Sequence, residues 1–473
     1  MTNQKSRNVT LSALRARIII RSKLDYGSMV YQSASQTDLD FLNSIQNEAL
    51  RVCLGAFRSS PLDSLHREAG EMPMRIRHLQ LSVQYIVKLK AHKGNPAYEQ
   101  VIPKDIQDLD SLEVLFSDED TSDDENDAFD VKKGHMSLPK TFSERLHSFV
   151  EETEIPLEDI APVEIIDIEP WTLAEPEINL NLSRSTKEFT LNAWYISEHK
   201  AILDFYSGFT SIYTDGSKVD EKVAAAATWE FGHLKTRLPN NCTIFSAEAV
   251  ALSNALKIVH TSLRKRFIIF TDSLSCLESI QNEDLNNPLI QNILKQYTQC
   301  IRKGKRVVLC WVPGHVGIDG NTKADRLAKE ALNEQITPMQ VPYTDFLPLV
   351  KDYFQNIWQE RWSRSVSTLS LYAFDTKQKI FDMELTRKEQ VNLTRVRIGH
   401  THLTHSYHMN KGPIPVCDQC GVRLNMIHIM VECPKFDQAR TRHLQGSDPE
   451  EIFSNSDRNI IQFLKDCDIF RKI

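Results

Sequence analysis

Phe267-Ile268-Ile269-Phe270-Thr271-Asp272-Ser273 is a continuous apolar run that stops at an acid. No polar residue alternates through its centre, so both faces are read as buried, the pattern of an interior strand in a parallel sheet. A carboxylate placed where such a strand ends lies at the rim of the crevice in which α/β sheets bind ligands. One short segment thus predicts a fold class and the position of a site within it.

The pattern extends outward from this strand. Upstream, Thr210 to Thr214, Val223 to Phe231 and Leu234 to Leu238 suit strands, and Ala247 to His260 suits an amphipathic helix. Downstream, helices are expected from Ser273 and Pro288, a strand over Val307 to Val312, and a last helix from Asn321 to Leu332. Residues 209–334 therefore predict a compact α/β unit, a mixed five-stranded sheet with flanking helices.

Three more acids fall at matching places. Asp215 in Tyr213-Thr-Asp-Gly-Ser217 follows the first strand, and Asp325 closes Gly320-Asn-Thr-Lys-Ala-Asp325 in the last helix. Glu248 shares a helical face with Leu252, Ala255 and Val259, the face expected to be buried, where an ionised carboxylate needs a compensating partner. Taken singly, Asp215 suits a turn, Asp272 a helix cap and Asp325 a surface helix. Taken together, four carboxylates converging on one crevice repel unless cations neutralise them. That is a hard-oxygen site for Mg²⁺ or Mn²⁺, and the chemistry it suggests is two-metal hydrolysis of a phosphodiester.

These motifs, with Trp311-Val-Pro-Gly-His-Val-Gly-Ile-Asp-Gly-Asn-Thr-Lys-Ala-Asp325, resemble the type 1 ribonuclease H family over about residues 209–334. The resemblance implies cleavage of the RNA strand of an RNA–DNA hybrid with two Mg²⁺ or Mn²⁺ ions. Asp215, Glu248, Asp272 and Asp325 would hold the metals, and His315 would assist proton transfer or product release. Ser217, Ser246 and Ser273, each beside one of the acids, are the candidates for nucleic-acid contact. The chain departs from bacterial members at Ile244-Phe245, where they carry an asparagine pair, and at Leu274, where they carry glutamine. Reading of the RNA 2′-hydroxyl by side chains is thereby reduced, and backbone groups are left to supply it. The basic runs at Arg264-Lys-Arg and Arg302-Lys-Gly-Lys-Arg precede strands and are read as solvated loops at the sheet end away from the acids.

At 473 residues, about three units of ~150 residues are expected. The net charge of −7 averages over an acidic run near Ser117 to Asp127 and basic helices on its N-terminal side. Residues 1–103 predict helices over Leu11 to Arg21, Gln36 to Leu54 and Met74 to Ala91. Residues 104–183, acidic and then proline-punctuated, predict a disordered linker. A connecting helix is expected within residues 184–208, and a C-terminal helical region over residues 335–473.

Within that last region Cys417, Cys420, His428 and Cys433 form a C-x₂-C-x₇-H-x₄-C array, a donor set for one structural tetrahedral Zn²⁺, expected to order its own small module. His400, His402, His405 and His408 are read as part of a polar helix or loop. Nine cysteines without a disulfide framework, no long apolar span and a polar start point to an intracellular chain with no membrane partner. The order of helices, ribonuclease H-like unit and Cys/His array resembles the C-terminal part of a jockey-like non-LTR retrotransposon polyprotein. That resemblance implies that residues 1–103 correspond to a reverse transcriptase thumb, and that the partners are an RNA–DNA hybrid and a reverse transcriptase or retrotransposon RNA. A catalytically inert nucleic-acid-binding remnant is the alternative reading.

Overall fold

The computed structural model describes residues 20–102, 142–163, 172–185, 187, 189–365, 385–446, 448, 451–452 and 455–473. The helix expected over Leu11 to Arg21 and the acidic run near Ser117 lie almost wholly outside them. Two compact units emerge, one from residues 1–83, 138–140 and 350–473, the other from residues 84–137 and 141–349.

The second unit is built on one sheet of strands β1 (Glu177–Asn179), β2 (Thr210–Val219), β3 (Lys222–Trp229), β4 (Gly232–Leu238), β5 (Arg266–Thr271) and β6 (Arg306–Trp311), in the order β1-β6-β5-β2-β3-β4. β1, β6, β5 and β2 run parallel, and β2-β3-β4 form an antiparallel meander. Its helices are α1 (Asn192–Phe205), α2 (Ile244–Thr261), α3 (Leu274–Gln281), α4 (Pro288–Arg302), α5 (Asp319–Ala331) and the start of α6 (Tyr343–Arg364). Phe267 to Phe270 are buried on both faces of β5, as the unbroken apolar run predicts. One face of the sheet packs with α2, α3 and α4 around Ile269, Leu252, Leu277 and Leu294, and the other with α1 around Phe270, Tyr195 and Val316. Side chains start three of these helices locally: Thr243 caps α2, Ser273 caps α3, and Asn287 with Pro288 opens α4.

The sheet has six strands, not the five expected. The additional strand, β1, lies in the stretch read as a disordered linker, as does a helix at Phe142–Glu152. Three residues are too short for a periodic signal, and what holds β1 is distant in sequence. It pairs with β6, its Glu177 accepts two hydrogen bonds from Arg306 (2.8 and 3.1 Å), and the Glu177 N–H donates to the Tyr297 hydroxyl at 2.9 Å. Another correction concerns Lys305. It is buried, its ammonium donating to the carbonyls of Val259 and Ser262 at the end of α2, so it is no solvated loop residue.

In the first unit, helices Gln36–Leu54 and Met74–Ala91 have the expected bounds. The core here joins the two ends of the chain: Leu50, Leu54 and Leu65 pack in one cluster with Leu393, Val396, Ile460 and Phe463. Arg397 reinforces it, paired with Glu68 at 3.3 Å and with Asp457. The N-terminal helices and the Cys/His segment, separate modules in the sequence reading, therefore share one core. Amphipathic helices far apart in a chain carry no sign of which partner they cover. Among the described residues no helix is long and apolar enough to cross a membrane, and all nine cysteines are free thiols.

Candidate active site and metal centre

The parallel pairing of β2 with β5 aligns Thr214 with Thr271, so Asp272, just past the end of β5, stands beside Asp215, which lies within β2 because that strand continues to Val219 and does not end at Thr214 as expected. Glu248 reaches them from the second turn of α2. One carboxylate oxygen from each of the three lies within 4.8 Å of the others. Two glycines make the approach possible. A Cβ on Gly216 would sit 2.9 Å from the Glu248 backbone nitrogen, and one on Gly314 would sit 2.4 Å from Asp272 Oδ2. Asp272 is also held by its neighbours: Asn321 Nδ2 donates to Oδ2 at 3.4 Å, and Trp311 Nε1 donates to its carbonyl at 3.0 Å.

Asp325, on α5, adds a fourth carboxylate within hydrogen-bond reach of Asp215, though not within the mutual 4.8 Å of the other three. It is close enough to act electrostatically on Asp215 and Asp272, while its own carboxylate accepts from Lys329 Nζ at 2.8 Å. His315 is exposed in the loop after β6, with φ of 58°, a left-handed conformation uncommon outside glycine. It faces the site closely enough to favour the charged form of Asp272.

Burial raises the Asp215 carboxyl well above the usual range, and Glu248, Asp272 and Asp325 raise it further. Burial also raises Glu248, with Asp272 adding to it and the Gly216 backbone opposing. Asp272 is raised by burial against the opposing pull of Asn321 and His315. Glu248 Oε2 is buried with no hydrogen-bond partner. An orphaned oxygen among crowded carboxylates matches the hard oxygen donors that Mg²⁺ or Mn²⁺ requires.

A pH dependence follows. Groups whose folded pKa is raised bind protons in the folded state that the unfolded chain has already released. Their favourable contribution is complete below the unfolded value of about 4 and is lost as pH rises through the raised range. Thermal unfolding of the metal-free protein is expected to shift downward between pH 5 and 8, and Asp215→Asn to flatten that slope. An equal slope in the variant would contradict this electrostatic account.

The three serines are less available than expected. Ser246 has no accessible surface, Ser217 is buried, and the Ser273 hydroxyl accepts the Cys276 N–H as the cap of α3. Small hydroxyl residues beside a helix start are commonly occupied in capping, which sequence proximity to an acid does not reveal. Asn321 and Gly314 were legible as members of a quoted motif, but nothing in their spacing announced contact with Asp272.

In the first unit Cys417, Cys420, His428 and Cys433 bring one ligand atom each within 4.8 Å of one another. Cys417 Sγ is 3.7 Å and Cys420 Sγ 3.8 Å from Cys433 Sγ. The turn joining Cys417 to Cys420 is closed by hydrogen bonds from Gly421 N–H to the Cys417 carbonyl (2.9 Å) and from Cys417 N–H to that of Val422 (2.8 Å). The Cys420 N–H, with that of Gln419, holds the Cys417 thiol below its ordinary value, favouring thiolate. His428 Nε2 is buried without a partner, while Nδ1 lies 3.2 Å from Glu432, the outer contact that commonly fixes a ligating imidazole. This donor set suits tetrahedral Zn²⁺. His400 and His405 stack nearby in sequence, ring centroids 3.8 Å apart, with His400 buried and His402 exposed.

Residues 209–333 match the RNase H family model. The Pol polyprotein of equine infectious anemia virus (strain Wyoming) is 38% identical over 123 residues, 26% of this chain and 10% of that protein. The Gag-Pol polyprotein of bovine immunodeficiency virus (strain R29) is 34% identical over 133 residues, 28% of this chain and 8% of that protein. Human Ribonuclease H1 is 26% identical over 153 residues, 28% of this chain and 52% of that protein. The chain thus spans about a tenth of the length of the viral relatives and about half of the human one. With three acids gathered at a mixed sheet and the family match spanning β2, α2 and β5, residues 209–333 are an RNase H domain.

Proposed function

We propose that this domain is an active, divalent-metal-dependent endonuclease that hydrolyses the RNA strand of RNA–DNA hybrids. The observation that carries the reading is the buried, unpartnered Oε2 of Glu248 beside Asp215 and Asp272. Such an arrangement is costly for a protein with no use for a cation there.

Asp215, on which the other three acids all act, would be the shared ligand. Glu248 and Asp272 complete the nucleophile side, and Asp325 serves the leaving-group side once it parts from Lys329. Two Mg²⁺ or Mn²⁺ ions, when bound, supply Lewis acidity for activating water and for stabilising charge on the departing 3′ oxygen. His315, exposed on its strained loop, relays protons or eases product release. With Ser246 and Ser273 engaged internally, backbone groups at the crevice are the readers of the RNA strand. Cys417, Cys420, His428 and Cys433 hold a structural Zn²⁺. The whole is read as part of a jockey-like retrotransposon polyprotein, with a reverse transcriptase or retrotransposon RNA as the further partner.

One observation favours the second reading, an inert nucleic-acid-binding remnant: the Asp325 carboxylate is ion-paired with Lys329. The test is cleavage of RNA–DNA, RNA–RNA and DNA–DNA duplexes in parallel with Mg²⁺ or Mn²⁺. Cutting of the hybrid's RNA strand alone supports the enzyme; retention of all three duplexes uncut, with binding, supports the remnant. His315→Ala is expected to lower kcat on the order of 10- to 100-fold without abolishing it, because water activation does not depend on a protein base alone. Complete loss in a folded variant would assign His315 a larger part.

A further inference from the structure

Asp345 lies beyond the span matched by the RNase H family, in the first turn of α6, yet its side chain is directed at the helix that carries Glu248. It is 3% exposed. Its Oδ2 accepts the backbone N–H of Thr243 at 2.9 Å, and its Oδ1 accepts the Thr243 hydroxyl at 3.1 Å and the Thr344 hydroxyl at 3.4 Å.

Thr243 is itself the cap of α2, its hydroxyl accepting the Ser246 N–H at 3.4 Å. Asp345 therefore grips the cap from outside, and its charge sits where a helix N-terminus favours an anion. Five residues along the same helix, Glu248 projects into the acid cluster. Its place there is narrow, since its backbone nitrogen lies 2.9 Å from where a Cβ on Gly216 would be. A small rotation or slip of the first turns of α2 would carry Glu248 away from Asp215 and Asp272.

We propose that Asp345 is a positioning residue for the acid cluster: by clamping the Thr243 cap it sets the register of α2 against β2 and so the reach of Glu248 toward a divalent cation. This rests on the metal-binding reading above. It also extends the functional unit past residue 333, because the clamp belongs to α6.

The test uses the full chain with its zinc site loaded and Mn²⁺ alone as the probe, titrated by calorimetry, with Asp215→Asn as background. Asp345→Asn keeps the shape but leaves one acceptor oxygen where the Thr243 N–H and hydroxyl each take one, and it removes the charge at the start of α2. Thr243→Val removes the hydroxyl at nearly constant volume, and Thr243→Ser restores it. Asp345→Asn and Thr243→Val are expected to weaken Mn²⁺ binding about tenfold, the scale of outer-shell changes at metal sites, with Thr243→Ser close to wild type. Folded Asp345→Asn and Thr243→Val proteins with wild-type Mn²⁺ affinity would overturn the proposal while leaving the metal reading intact. Should Asp345→Asn not fold, the Thr243→Val and Thr243→Ser pair decides. If Thr243→Val also fails to fold, Asp345 is a folding determinant and the proposal is wrong. A wild-type chain that binds no more Mn²⁺ than Asp215→Asn would overturn both readings.

Discussion

Asp215→Asn is expected to abolish hybrid cleavage in a chain that remains folded, lowering kcat/KM by at least a factor on the order of a thousand, about 4 kcal/mol of transition-state stabilisation. The amide preserves shape and packing within β2 but removes the charge shared between both sides of the proposed cation site. Because burial and Glu248, Asp272 and Asp325 all disfavour the ionised form of Asp215, the variant relieves repulsion in the metal-free protein. Loss of activity with equal or higher thermal stability is thus the signature. An inactive but unfolded variant would say nothing about chemistry, so circular dichroism and the unfolding midpoint accompany the kinetics. Wild-type-like cleavage by the folded variant would remove this cluster from consideration as the site.

The second large effect concerns zinc. Structural zinc sites contribute about 10–16 kcal/mol, comparable to the whole stability of a domain. The sequence reading confined that contribution to a small module around residues 417–433, but Cys417 and Cys433 lie in the same buried cluster as Leu50, Leu54, Leu65 and Phe463. Chelation, or Cys433→Ser, is therefore expected to expose the helix Gln36–Leu54 as well as the C-terminal helices. Hydrogen exchange checks this: amides of residues 45–54 and 390–473 should lose protection together when a chelator is added. Those of β2 and β5, which belong to a separate core, should keep theirs. Protected amides in Gln36–Leu54 after metal removal would return the site to a purely local role.

Much of the sheet unit was legible because its signals are local. The apolar run of β5 and the helix starts at Ser273 and Pro288 each act within a few residues. The acids were legible because charge at the end of a buried strand has few structural uses. What escaped detection depends on long-range pairing. β1 is held by Arg306 and Tyr297, more than a hundred residues away. Asp345 looks like an ordinary first-turn acid until its distance from Thr243 is known. The serines illustrate the converse, since proximity in sequence to Glu248 and Asp272 suggested contact with nucleic acid where the fold uses Ser273 as a cap and buries Ser246. The single core joining Leu54 to Ile460 was invisible for the same reason, as amphipathic helices do not encode which partner they meet.

The central claim is that Asp215, Glu248 and Asp272 form a cation-dependent site for cutting RNA paired with DNA. The most direct measurement incubates the full chain with an end-labelled RNA–DNA hybrid and Mg²⁺ or Mn²⁺, resolves both strands, and determines the ends of the products. The account predicts internal cuts in the RNA strand only, leaving 5′-phosphate and 3′-hydroxyl ends, abolished by omitting the divalent ion and by Asp215→Asn. An intact RNA strand with folded, metal-supplied wild-type protein, or cleavage that persists without divalent ions, would contradict it.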